Sequence, residues 1–118
     1  MATEIMIIRV SMAQGEVARM AREGFGDFVK AVVDAEQGIM AIGGDLHADM
    51  EAVLREQCGS ANERLWGINI YPAKSGSERI EFDSMINLKP ASGNRSRGVE
   101  DAAVREGIER IVKALTPE

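Results

Sequence analysis

Two β-rich runs, Phe28–Asp34 (FVKAVVD) and Gly38–Gly43 (GIMAIG), are separated only by Ala35–Gln37. A connection this short returns the chain antiparallel to itself, because parallel neighbours need a crossover of about a dozen residues or more. Every other segment must therefore be arranged around an antiparallel hairpin.

The flanking patterns supply the remaining elements. Ile5–Val10 reads as a strand buried on both faces, and Ser11 as the cap of a following helix. Val17, Met20, Ala21 and Phe25 share helical spacing, and Gly24 and Gly26 end that pattern. The spacing of Leu46, Met50, Val53 and Leu54 predicts a second helix over Ala48–Gln57, with Asp49 as its cap. Ser60-Ala61-Asn62-Glu63 has capping-box spacing and closes one short turn. Leu65–Tyr71 and Ile80–Leu88 read as strands, stopped by Pro72 and Pro90. Val104, Ile108, Ile111, Val112 and Leu115 form an amphipathic stripe that begins after an Asp101 cap. The order is β-α-β-β-α-β-β-α. It predicts a single α+β domain over residues 1–118, with a mainly antiparallel sheet and helices covering one face. Its first six elements follow the ferredoxin-like order.

Composition sets limits on function. The chain has 118 residues and a formal net charge of −5, which argues against a nucleic-acid partner because phosphate contacts need a basic surface. Its one cysteine, Cys58, makes an intrachain disulfide and a multi-cysteine metal site impossible. The start MATEIMII lacks the pattern of a secretory leader, and no apolar run approaches bilayer length. The expectation is a cytoplasmic protein without a membrane partner. Aromatic residues are only 4% of the chain and methionines number seven, so the core is aliphatic and soft. Methionines together with an exposed sheet face would also suit a homodimer interface.

The chemistry-bearing residues concentrate in three places. On the strand at Ile80–Leu88, Glu81 and Asp83 share one face with Asn87, and Asn69 on the preceding strand converges with them. Two carboxylates at i and i+2 lie about 7 Å apart, which suits general acid–base work or a hard cation. A solvated outer sheet face has the same pattern. The loop Ser92–Gly98 (SGNRSRG) offers Asn94 and the planar donor forks of Arg95 and Arg97 to a phosphate or carboxylate. The alternative is internal pairing of those arginines with Glu81, Asp83 or Asp101. Glu100 and Asp101 place negative charge at the following helix start, so an anion here would rely on the arginines and loop amides. The third place, Gly43-Gly44-Asp45-Leu46-His47-Ala48-Asp49, holds the only histidine beside a di-glycine that permits close approach of a ligand or another strand. Asp45, His47 and Asp49 are also candidate metal ligands. Cys58, at a helix C-terminus, reads as a packing residue.

The segments GIMAIGGDLHAD (Gly38–Asp49), LWGINIYP (Leu65–Pro72) and IEFDSMINLKPASGNRSRGVED (Ile80–Asp101) together resemble a small prokaryotic family, DUF5674. The resemblance runs from about Met6 to Leu115 and implies no established activity, substrate or cofactor. The polar motifs it carries fall on Asp45, His47, Asp49, Asn69, Glu81, Asp83, Asn94 and Arg95.

These readings combine into one expectation, a site for a small anionic ligand, phosphoryl or carboxylate. His47, Glu81 and Asp83 are its catalytic candidates, and Gly44, Asn69, Asn94, Arg95 and Arg97 its ligand-binding candidates. Neither a reaction nor a cofactor follows from the sequence. The rival expectation is a non-enzymatic oligomeric or partner-binding module, in which the arginines and carboxylates clamp the fold.

Overall fold

The structure is a computed structural model that describes residues 4–118. The first three residues of the MATEIMII segment lie outside the described residues. Five strands, β1 (Met6–Ile8), β2 (Val29–Asp34), β3 (Ile39–Ile42), β4 (Leu65–Ile70) and β5 (Ile80–Glu81), form one antiparallel sheet in the order β1-β3-β2-β4-β5. Three α-helices accompany it: α1 (Glu16–Glu23), α2 (His47–Cys58) and α3 (Ala102–Leu115). The class is α+β.

The β2–β3 hairpin forms where the β-rich runs place it. Its turn is held by Asp34, which is buried. The Asp34 carboxylate accepts hydrogen bonds from the backbone N–H groups of Glu36 and Gln37 at 2.9 Å each. It also accepts Gln37 Nε2 at 2.8 Å and Ser60 Oγ at 2.6 Å. Ser60 thus ties the hairpin turn to the end of α2, and the short turn after it (Asn62–Arg64) has no side-chain cap. Two further expected caps differ. α1 starts after Gly15 and α2 after Leu46, each without a side-chain cap, so neither Ser11 nor Asp49 serves. Asp101 does cap α3, accepting the N–H groups of Ala103 and Val104.

The helices do not share one face, as the element order had suggested. β1 and β2 flank β3 and are joined through α1, while β3 and β4 flank β2 and are joined through α2. Both crossovers advance the same way along the sheet, yet they begin on strands of opposite direction. Right-handed connections then send α1 and α2 to opposite faces. The packing follows this. Val17 and Ala21 of α1, and Ile108, Val112 and Leu115 of α3, pack with Ala31, Val33, Met40, Ile42, Trp66 and Ile68. Met50 and Leu54 of α2 pack on the other side with Val32, Ala41 and Leu65.

The predicted strand Ile80–Leu88 is cut short. β5 ends at Glu81, and the chain turns through a 3-10 segment, Met85–Asn87. Asn87 therefore leaves the face shared by Asn69 and Glu81. Its side chain is fully buried against β4 instead, where Oδ1 accepts the Gly67 N–H at 2.8 Å and Nδ2 donates to the Gly67 carbonyl at 3.0 Å. One carboxamide here makes the paired contacts that a neighbouring peptide would make.

Candidate functional site

Strand register assembles a polar row on the α2 side of the sheet. Lys30 of β2 lies opposite Asn69 of β4, and Asn69 lies opposite Glu81 of β5. Directly opposed residues of antiparallel strands project to the same face. Asn69 is only 7% exposed and forms the floor of the row. Its Nδ2 donates to Glu81 Oε1 at 2.8 Å, and the Tyr71 hydroxyl donates to the same oxygen at 3.2 Å. Asn69 Oδ1 is buried without a hydrogen-bond partner. Such an orphaned acceptor costs about 1–3 kcal/mol.

His47, the first residue of α2, borders this row. Its Nε2 sits 2.8 Å from the Ile68 carbonyl oxygen, which only accepts, so Nε2 carries the proton. In the neutral ring Nδ1 is then the free base. Burial pushes the His47 pKa below its ordinary value. The Ile68 carbonyl and Asp83 pull it upward, while Lys30 and Arg97 push it further down. Lys30, Asp83 and Arg97 thus act on the imidazole through their charge. Asp83 is held by Arg97, whose Nε donates to Oδ1 at 2.6 Å across a half-exposed pair.

Gly67 explains how the ring comes this close to the sheet. A Cβ there would lie 2.5 Å from Ser84 Cβ and Oγ and 3.1 Å from His47 Cγ. Absence of a side chain at that single position lets both Ser84 and His47 press onto β4.

The arginine loop is mostly a brace. Asn94 is buried, and its Nδ2 donates to the carbonyls of Asn87, Gly98 and Ser96 while its Oδ1 accepts the Glu100 N–H. Nothing is left on that amide for a ligand. The Arg95 backbone N–H donates to Glu100 Oε2 at 2.7 Å, and its side chain is exposed. A cleft of about 510 Å³ beside the loop is lined by Asn94, Trp66, Glu63, Glu100 and Asp101, away from His47. Gly44 faces Ile5 and Met50, and a Cβ on Gly43 would strike the Glu4 carbonyl, so the di-glycine admits the N-terminal strand segment.

The structure therefore brings together His47, Asn69, Glu81, Asp83 and Arg97. It sets Asn94 into a supporting network and Gly44 against apolar side chains. Among the described residues no group of three His, Cys, Asp or Glu side chains is placed to hold a metal ion, and Asp45 and Asp49 remain exposed. Lys30 was missed by sequence reading, since only strand register reveals it opposite Asn69.

No helix among the described residues is long and apolar enough to cross a membrane. No curated protein and no solved structure matches the chain. Residues 6–115 match the family described as Protein of unknown function (DUF5674), and the chain belongs to that family.

Proposed function

We propose that this protein binds a small anionic ligand that also carries a hydroxyl or amino group, on the polar row beside His47. The observation that carries this reading is the buried, unpartnered Oδ1 of Asn69. An acceptor in that position calls for a donor, and the surrounding Lys30 and Arg97 call for negative charge. A phosphoryl or carboxylate group would meet the cations, and a hydroxyl would meet Asn69. His47, neutral with Nδ1 free, would accept a second hydroxyl proton, and Glu81 and Asp83 would orient the donors around it. The rival reading, a clamp serving a partner-binding module, is favoured by two observations, the Arg97–Asp83 ion pair and the saturated amides of Asn87 and Asn94. It accounts for the loop and leaves the row unexplained.

Calorimetric titration with glycerol 3-phosphate and with n-propyl phosphate tests the proposal, since the two differ only in hydroxyl groups. Glycerol 3-phosphate should bind at least about tenfold more tightly, equivalent to ~1.4 kcal/mol. Lys30→Gln should weaken both ligands. Equal binding of the two, or no effect of Lys30→Gln, rejects the reading.

A further inference from the structure

The opposite side of the sheet carries a second incompletely satisfied group. Arg79 ends the 3-10 turn Gly76–Arg79 just before β5 and is only 5% exposed. Its Nη1 donates to Thr116 Oγ1 at 3.1 Å, and Thr116 Oγ1 in turn donates to the Val112 carbonyl at 2.6 Å. Arg79 Nε is buried with no hydrogen-bond acceptor. Glu118 Oε1 stands 3.8 Å from it, on a side chain that is 55% exposed. Charge-assisted N–H···O bonds close to about 2.7–2.9 Å, so Glu118 neutralises the guanidinium without bonding it. Burial lowers the Arg79 pKa and Glu118 only partly opposes this.

Arg79 and Glu118 both line a cleft of about 400 Å³ between the turn before β5 and α3. Ile80, Val112 and Pro117 give this cleft an apolar wall, and Lys113 and Glu109 add one charge of each sign. An external monocarboxylate that replaces the Glu118 side chain at Arg79 leaves the charge facing the guanidinium unchanged, whereas a dianion adds to it. The backbone of Glu118 is anchored, since its main-chain oxygen accepts Gln14 Nε2 at 2.7 Å. Exchange therefore needs only the Glu118 side chain to swing outward.

We propose that this cleft is a binding site for a small aliphatic monocarboxylate, with Arg79 as its anchor and the Glu118 side chain as a tethered competitor. A free carboxylate reaches the Nε–H geometry that the tether denies to Glu118, and a short branched body fills the apolar wall. The site is separate from the row at His47 and stands or falls independently of it.

Sodium isobutyrate, titrated against sodium chloride at equal ionic strength, is the probe, read through the Arg79 Nε–H resonance. Isobutyrate should give a saturable shift that chloride does not. Glu118→Ala should tighten binding about fivefold, the factor expected when a competitor occupies the site about four-fifths of the time. Arg79→Lys should abolish the saturable response. Should Arg79→Lys fail to fold, the exposed Glu118→Ala variant still decides. Matching shifts from isobutyrate and chloride, or unchanged affinity in Glu118→Ala, overturns the proposal.

Discussion

At the scale of single residues, Gly67 governs the candidate site more than any charged group does. Its missing side chain is what allows Ser84 and His47 to rest on β4 together. Gly67→Ala should destabilise the fold by about 1–3 kcal/mol through overpacking. Ser84→Gly in the same chain should recover part of that loss, because Ser84 supplies the closest contacts at 2.5 Å. Urea denaturation of the two variants measures both effects, and an additive loss in the double variant would contradict this account of the contact. Asn69 shows the opposite economy. It is buried and keeps an unanswered acceptor, at a cost of about 1–3 kcal/mol.

At the scale of elements, the legible parts were those whose determinants are local. The β2–β3 hairpin is written in two adjacent runs, and the start of α3 is written in Asp101, two and three residues from the N–H groups it caps. Asn87 was illegible because its partners, Gly67 and Arg97, lie 20 and 10 residues away. The alternation of Ile80, Phe82, Ile86 and Leu88 fits a strand, but a buried Ser84 and the turn at Met85–Asn87 override it. Lys30 stayed hidden for a related reason: a row across strands exists only once register is fixed. Asp34 joins the hairpin to α2, and burial pushes its carboxyl pKa up. The hydrogen bonds from Ser60, Gln37 and Glu36 together outweigh burial and leave the pKa below its ordinary value. A depressed carboxylate contributes stability above its unfolded pKa, and that contribution fades as pH falls through the folded one. Asp34→Asn should thus cost about 1–3 kcal/mol at neutral pH. The gap from wild type should narrow on acidification below the ordinary aspartate pKa of about 3.9. Denaturant midpoints across pH check this, and a constant gap would count against it.

At the scale of the whole molecule, one sheet serves two cores. The apolar stretch Ala31–Val33 within β2 and the run Ile39–Ile42 of β3 already carried the sign of burial on both faces, a pattern associated with covered sheets. The one-faced expectation gave that sign too little weight beside the element order. Because every central strand contributes to both layers, the layers should melt together. Leu54→Ala on the α2 side should cost about 3 kcal/mol and Ile108→Val on the α3 side about 1 kcal/mol. The double variant should lose about 4 kcal/mol in a single transition, since the substituted groups lie on opposite faces without shared contacts. Separate transitions by tryptophan fluorescence and circular dichroism would show instead that the two layers unfold independently.

The Asn87 carboxamide has a consequence for how this molecule meets others. A sheet margin normally offers bare N–H and C=O groups to any passing strand, which is the usual route to edge-to-edge aggregation. On the β4 margin, β5 covers only Asn69 and Ile70, and Asn87 occupies the groups of Gly67 beyond it. At Gly67 the backbone of β4 is thus closed to strand addition by a side chain. At the opposite margin, among the described residues, β1 pairs with β3 on one side and forms the edge of the sheet on the other.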